Sequence, residues 1–481
     1  MKYLGITRTA IPLGRCRCDK WGCVMRPFHL LGSRLMAGFA LLAGLACTCV
    51  GLAGAATVST FFQPTAHSSS LVVGPDGSFY GTSCYGGTSD NGTVFKLSRT
   101  GAYQVLYNFT GGTDGANPAA GLVFGPDGLL YGTCEYGGNG DAGSIFKIST
   151  SGAFTVLRTL SYAADGAAPV GGLAVGVDNK LYGTASCGGL YGRGTVIQIS
   201  TAGSFTVLHN FSGLDGQAPS ATLISGADGL LYGVTQYGGA NGYGSVFKIT
   251  TGGIFTTLTS FAGSNGAYPT AALIQGGDHA FYGVTAYGGA NDFGCVFKVT
   301  NGGAFTVLYS ISQESSGSNP SAGLVAGPGG ALYGSAAYGG ANGFGSLFQV
   351  TTAGAFSSLY DFAGNSDGAN PSTLMVRNGY SFYGTTATGG GAGEGSIYQL
   401  ALLHFDSVQP LANHQIKYTG SGGTPNAQYQ IFTSTTNVNS LPLSAWTPAG
   451  TGQFDVNGQF NFTAGVNLLG LEQFYFVEQL P

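Results

Sequence analysis

Seven Tyr-Gly pairs punctuate the chain, and the residues that follow them are the ones whose types could do chemistry. Four residues after each tyrosine stand Cys84, Glu135, Ser186, Gln236, Ala286, Ala337 and Ala387; one residue later stand Tyr85, Tyr136, Cys187, Tyr237, Tyr287, Tyr338 and Thr388. A carboxylate, an amide and a hydroxyl can each hydrogen-bond a sugar hydroxyl, and a tyrosine ring offers a flat π surface to the apolar face of a pyranose. The candidate ligand contacts are therefore Glu135, Gln236, Ser186, Tyr85, Tyr136, Tyr237, Tyr287 and Tyr338. The first series is polar or thiol in four copies and Ala in three, which predicts a one-sided patch centred on Glu135 and Gln236. A structural account competes: a residue repeated in every unit serves the unit, so each Tyr would pack its own turn and bond a backbone carbonyl.

Catalytic chemistry finds less support. Glycoside hydrolysis needs two carboxyls about 5–10 Å apart. Most acidic residues fall in turns, such as Asp76, Asp127 and Asp228, and the exceptions Glu135, Glu314 and Glu394 lie in different repeats. His67, His209, His279, His404 and His414 have no metal-ligand spacing, and neither HExxH nor GxSxG occurs. Asp114, Asp165, Asp215 and Asp367 begin Asp-Gly loops without the dense oxygen spacing of a calcium loop, so they read as turn formers. No catalytic residue, metal ligand or cofactor is assigned.

The elements that hold these residues come from a repeat. The tyrosines Tyr80, Tyr131, Tyr182, Tyr232, Tyr282, Tyr333 and Tyr383 are spaced by 50 or 51 residues. Each unit divides into four strand-like runs, clearest in the second. There Gly121 to Phe124 ends at Pro126-Asp127-Gly128, Leu129 to Thr133 ends at Tyr136-Gly137-Gly138, Ser144 to Ile148 ends at Ser151-Gly152, and Phe154 to Leu157 follows. Short runs with Gly, Pro and Asp punctuation and no helical period predict a four-stranded antiparallel sheet. Four strands in roughly 50 residues match a propeller blade. Successive loops of a blade alternate between faces, so the Asp-Gly-x-x-Pro loops share one face with the Tyr-Gly-Gly loops. Short Pro-Asp-Gly and Ser-Gly turns take the other, and the longer-loop face is the expected binding face.

The first three runs occur seven times, but the fourth occurs only six times between Tyr103 and Phe362. The missing copy stands at the front, as Val58-Ser59-Thr60-Phe61-Phe62. An N-terminal strand that completes the last sheet explains both facts and removes open edges. The expectation is an all-β fold: a seven-bladed β-propeller over residues 56–402, closed by that strand.

Leu130-Tyr131-Gly132-Thr133, Tyr136-Gly137-Gly138, Gly143 to Ile148 and Gly152 to Leu157 together resemble the GloVer tandem repeat of exported bacterial proteins. The resemblance covers about residues 57–400. It implies a repeat array outside the cytoplasm, on which family members carry varied C-terminal anchors, and it brings no defined activity. This chain departs from the pattern in lacking an apolar anchor with a basic tail near Pro481.

Residues 403–481 alternate polar and apolar types, as in Gln428 to Phe432, Asp455 to Phe462 and Phe474 to Val477, which predicts a small β-sandwich, and their order resembles C-terminal Ig-like modules of exported bacterial proteins. Residues 1–55 read as an export signal with an upstream extension. Arg26 and Arg34 precede the charge-free stretch Leu35 to Ala56, and Ala53-Gly54-Ala55 offers small residues for cleavage. An extracellular, cell-surface or periplasmic location follows, with no membrane span in the mature chain. Of the 17 basic and 21 acidic residues, 10 and 20 lie beyond residue 55, a net charge of −10 with no basic stripe, which argues against nucleic acid. Cys84, Cys134, Cys187 and Cys295 take different repeat positions, so no spacing requires a disulfide. The expected function is that of an exported, monomeric, non-catalytic binding or scaffold propeller whose partner is a glycan or a surface protein. A carbohydrate-active hydrolase or lyase on the same face, and a purely structural envelope component, are the alternatives.

Overall fold

The computed structural model describes residues 23–26, 46–48 and 56–62, residues 70–402 except 321, 374, 379, 380 and 392, and, beyond these, residues 404–411, 415–423, 428–434, 447–455, 459–465 and 474–479. Most of the stretch Leu35 to Ala56, expected as an export signal, lies outside the described residues, as do His67 and His414. The chain divides into two compact units, Ala56–Leu402 and Met1–Ala55 with Leu403–Pro481.

The larger unit is a seven-bladed propeller. Its second blade hydrogen-bonds Val123–Phe124, Leu130–Cys134, Ser144–Ile148 and Phe154–Thr159 in that order, all antiparallel, and the same order recurs in blades one to six. The second strand is buried along its whole length, because neighbouring blades cover both faces of the sheet, and so it reads as an unbroken apolar run. The first strand is shorter than the apolar run before the turn. The backbone there turns to the preceding blade, where Thr82 Oγ1 donates to the Ala120 carbonyl over 2.8 Å.

The Tyr-Gly pair is explained by packing. Tyr131 is fully buried, and its hydroxyl donates to Asp127 of the tight turn over 2.7 Å. Tyr80–Asp76, Tyr182–Asp178, Tyr232–Asp228 and Tyr282–Asp278 repeat the bond at 2.6–3.0 Å. Gly132 must lack a side chain, since a Cβ there would stand 2.5 Å from Phe146 Cζ on the third strand. In each of blades one to six the third and fourth strands shift register at one position, for example between Ile145 and Phe146, a bulge that bends the outer strand.

Apolar cores lie between blades rather than within them. Tyr80, Phe109, Leu122 and Phe146 join blades one and two; Tyr131, Leu160, Leu181 and Ile197 join two and three. Equivalent sets join three to four, four to five, five to six and six to seven. The last set, Leu71, Phe79, Phe95, Leu97 and Ile397, joins blade seven to blade one. The ring is closed. Its outer rim is tied by stacked pairs between neighbouring fourth strands, Tyr107 on Phe154 at 3.8 Å, His209 on Phe255 at 3.9 Å and Tyr309 on Phe356 at 4.0 Å.

Ala56–Phe62 is the fourth strand of blade seven, antiparallel to Ile397–Leu402, with Val58 opposite Leu400 and the bulge between Thr60 and Phe62. Blade seven also differs from the others: its long second strand, Ser381–Thr388, pairs with both Val376–Asn378 and Ala369–Pro371. A single helical turn, Gln313–Ser316, replaces the Asp-Gly loop before blade six.

The smaller unit has two antiparallel sheets. One orders Ala46–Thr48, Cys23–Arg26, Phe474–Gln479, Gln428–Ser434 and Thr447–Gln453; the other orders His404–Leu411, Gln415–Ser421 and Phe460–Gly465. Tyr429 links them, donating from its hydroxyl to the Asn461 carbonyl over 3.0 Å and packing on Phe460.

Candidate functional site

The two longer loop types do share a face, and backbone bonds weld them together. Ala116 N–H donates to the Tyr136 carbonyl over 2.9 Å, and Tyr136 N–H returns a bond to Ala116 over 3.1 Å. Ala167 with Cys187, Gln217 with Tyr237, Ala267 with Tyr287 and Ser318 with Tyr338 form the same bridge. Aspartates brace the loops from within. Asp114 accepts from Thr110 N–H and the Tyr107 hydroxyl; Asp165 takes a bidentate pair from Arg158 and the Ser161 N–H. Asp215 binds His209 Nε2 at 2.8 Å and Ser212 N–H, and Asp367 binds Tyr360 and Ala363 N–H. Burial pushes the Asp215 carboxyl up, but the Ser212 bonds and His209 outweigh it and hold the group below the usual carboxylate range. These carboxylates are loop braces, and among the described residues no group of His, Cys, Asp and Glu could hold a metal ion.

Because the bridge consumes the tyrosine backbone, the ring is left outside. Tyr85, Tyr136, Tyr237, Tyr287 and Tyr338 are 43–53% exposed, so these rings do not pack away into their turns as a purely structural role would have them. Blade three presents Cys187 instead, and blade seven Thr388, whose hydroxyl donates to Asn370 over 2.7 Å. Among the described residues, every exposed large apolar side chain except Val105, Val177 and Ile254 belongs to these two loop types, including Tyr162, Leu190, Tyr191, Leu214, Tyr243 and Phe344. The exposed apolar surface of the described propeller is thus concentrated on the longer-loop face.

The position before each tyrosine is uneven in chemistry. Glu135 accepts from Asn117 Nδ2 at 3.2 Å, and its carboxylate pushes the Tyr136 phenol above its ordinary range. Cys84 is half-buried, and burial, then the charge of Glu135, push its thiol up to about 11. Ser186 donates to the Ala168 carbonyl over 2.9 Å. Gln236 is half-buried, and its backbone N–H bonds Ala218, while its side-chain amide makes no hydrogen bond among the described residues. Two of the four, Glu135 and Ser186, are thus bonded to protein.

Two further residues join the face. Asn117 and Tyr268 occupy the last residue before Pro in their Asp-Gly-x-x-Pro-type loops, with left-handed backbones at φ 52° and 56°. Tyr268 packs against Tyr237, Tyr243 and Tyr287 at ring-centroid distances of 5.4, 5.8 and 6.1 Å. Its equivalents are Asn or Ala, so the departure was visible as a break in the repeat.

The Gloeobacter/Verrucomicrobia repeat matches residues 52–175, 150–329 and 301–434. No curated protein matches the chain in sequence. Among solved structures the chain is similar to virginiamycin B lyase from Staphylococcus aureus, at 16% identity and a TM-score of 0.50 over 72% of this chain and 99% of that one. It is also similar to a gluconolactonase from Xanthomonas campestris, at 13% identity and a TM-score of 0.39 over 82% and 99%. At that identity the likeness to the lyase is one of fold.

Proposed function

The chain belongs to the Gloeobacter/Verrucomicrobia repeat family, and on that footing we propose that it is an exported, non-catalytic binding propeller that recognises a glycan through its longer-loop face. One observation carries the reading: five tyrosines have their backbones fixed in loop-to-loop bridges or the matching turn while their rings stand 43–53% exposed on one face. Rigid aromatic rings lose little entropy on binding and match the apolar face of a pyranose. The Gln236 amide beside Tyr237 supplies direction, and Asp114, Asp165, Asp215 and Asp367 are spent on loop bonds rather than paired for acid–base work.

A glycan array probed with the propeller unit, followed by a product-release assay on each hit, tests the proposal. Binding without release is the expected result. Release of sugar that Glu135→Ala abolishes would replace it with a hydrolase or lyase, and an array with no hits alongside co-fractionation with the envelope would favour a structural component. Export is tested separately, by mass spectrometry of the native N-terminus, which should begin near Ala56.

A further inference from the structure

Blades four and five carry a feature found in no other blade among the described residues. At the left-handed position of the loop the chain has Asn117, Ala168, Ala218, Tyr268, Asn319 and Asn370, with φ between 50° and 57°. Asn tolerates that conformation and Ala is small, whereas a bulky aromatic there is a backbone outlier that its surroundings must sustain. Burial does not explain Tyr268, which stays half-exposed. What it gains is contact with three other tyrosines, Tyr237 at 61°, Tyr243 at 53° and Tyr287 at 77° between ring planes, so that four rings form one continuous patch across two blades. Beside Tyr237 lies Gln236, whose amide makes no hydrogen bond among the described residues. The equivalent Glu135 and Ser186 are already bonded to protein.

Resting on the glycan-binding reading above, we propose that Tyr237, Tyr243, Tyr268 and Tyr287 form the subsite that seats a neutral pyranose, with the Gln236 amide bonding its hydroxyls. Three observations choose this ligand class. The patch is filled at its centre by Tyr268, so it is a platform for a flat ring rather than a hollow cage for a quaternary ammonium. The nearest loop carboxylates are committed, Asp292 to the Gly288 N–H and Asp215 to Ser212 and His209. Arg158 is neutralised by Asp165, Arg193 is held on Gln217 at 2.6 Å, and none of the four rings nor Gln236 carries a charge, so the patch itself offers an anionic sugar no counter-charge.

Tyr268→Asn and Gln236→Ala test this directly, because each installs a residue that other blades of this chain already hold at that position. The probes are cellohexaose, xylohexaose and maltohexaose, with polygalacturonate as the anionic comparison and Ile254→Ser, on the opposite face, as the control variant. Binding of a neutral oligosaccharide should weaken by about ten-fold or more in both variants, with the melting temperature of Tyr268→Asn unchanged or raised and the control unaffected. Neutral-sugar binding that survives both substitutions overturns the subsite while leaving glycan recognition by the face intact. Binding of polygalacturonate alone overturns the neutral-ligand assignment, and binding of none of the four overturns the subsite together with the reading it rests on.

Discussion

Phe62 stacks on Tyr103 with ring centroids 5.1 Å apart and planes 8° from parallel, the same contact that Tyr107 makes with Phe154 between the first two blades. The strand from the front of the chain thus copies a fourth strand in register, in bulge and in its stacking on the next blade. Phe61 adds edge contacts to Phe79 at 5.7 Å and Tyr383 at 5.1 Å, residues of the first and seventh blades. Phe61→Ala should therefore cost about 2–3 kcal/mol, below the cost of a fully buried Phe. Deleting residues 56–62 should lower the midpoint of the whole propeller in one transition. A calorimetric trace in which only a minor transition moved would contradict a ring whose last core is shared by its two ends.

Acid should weaken the turns on the short-loop face. The hydrogen bond from Lys96 is the main cause that holds the Asp76 carboxyl well below the ordinary range. Burial pushes Asp278 up, but bonds from Lys298, Tyr282 and the Ala280 N–H outweigh it and hold that carboxyl at about 2. A carboxyl with a lower pKa in the folded than in the unfolded chain contributes its full stability above the unfolded value of about 3.9 and loses it as pH falls through the folded one. Melting temperature should drop as pH falls from about 4 to about 2. Asp76→Asn with Asp278→Asn should lower it at neutral pH and flatten that acid limb. Side-chain exposures of 41% and 39% keep the effect small, so an identical slope in the double variant would assign the acid sensitivity to other carboxylates.

Thiol reactivity should follow burial. Burial pushes both Cys134 and Cys295 up, Cys295 to about 11 against a lowering bond to Thr285, and neither is reachable from solvent. Cys187 is exposed. Iodoacetamide at mildly alkaline pH, read by peptide mass spectrometry, should modify Cys187 first, Cys84 more slowly, and Cys134 and Cys295 only after denaturant is added. Cys295 Sγ lies 3.4 Å from the Asn265 carbonyl, where Ser144, Thr195, Ser245, Ser346 and Ser396 hydroxyls bond the matching carbonyls at 2.8–3.1 Å. Cys295→Ser should thus leave stability within about 1 kcal/mol.

The blade was legible because its signals are local and repeated: a buried tyrosine bonded to an aspartate four residues earlier stamps the same pair on five units at even spacing. Closure was legible because a copy of the fourth strand was missing at one end and present at the other. The longer-loop face was legible only as loop topology. What the tyrosines of the Tyr-Gly-Gly loops do was not, since exposure of Tyr136 depends on a bridge to Ala116, twenty residues back, that leaves no mark in composition. Tyr268 was visible as a break in the repeat, but its role was hidden for a similar reason: its left-handed backbone follows from the loop around it, and its three aromatic neighbours come from two different blades. The split first strand partner of blade seven was equally hidden, because Ala369–Pro371 reads as an ordinary loop until the long strand Ser381–Thr388 reaches it.

The propeller should need nothing beyond its own residues. Every inter-blade core draws on residues between Val58 and Leu402, and the core that joins the last blade to the first is completed by Phe61, Phe62, Tyr103 and Val376. The residues on either side belong to the other compact unit. A chain of residues 56–402 should therefore fold, melt within a few degrees of the propeller transition of the full chain, and bind the same oligosaccharide with the same affinity. Stability is judged by calorimetry and binding by titration with the hexasaccharide that the full chain prefers. Retained melting with lost binding would move the ligand site to the C-terminal sheets, whereas a collapsed melting temperature would mean that the ring borrows stability from residues outside Val58 to Leu402, against the contacts that now account for it.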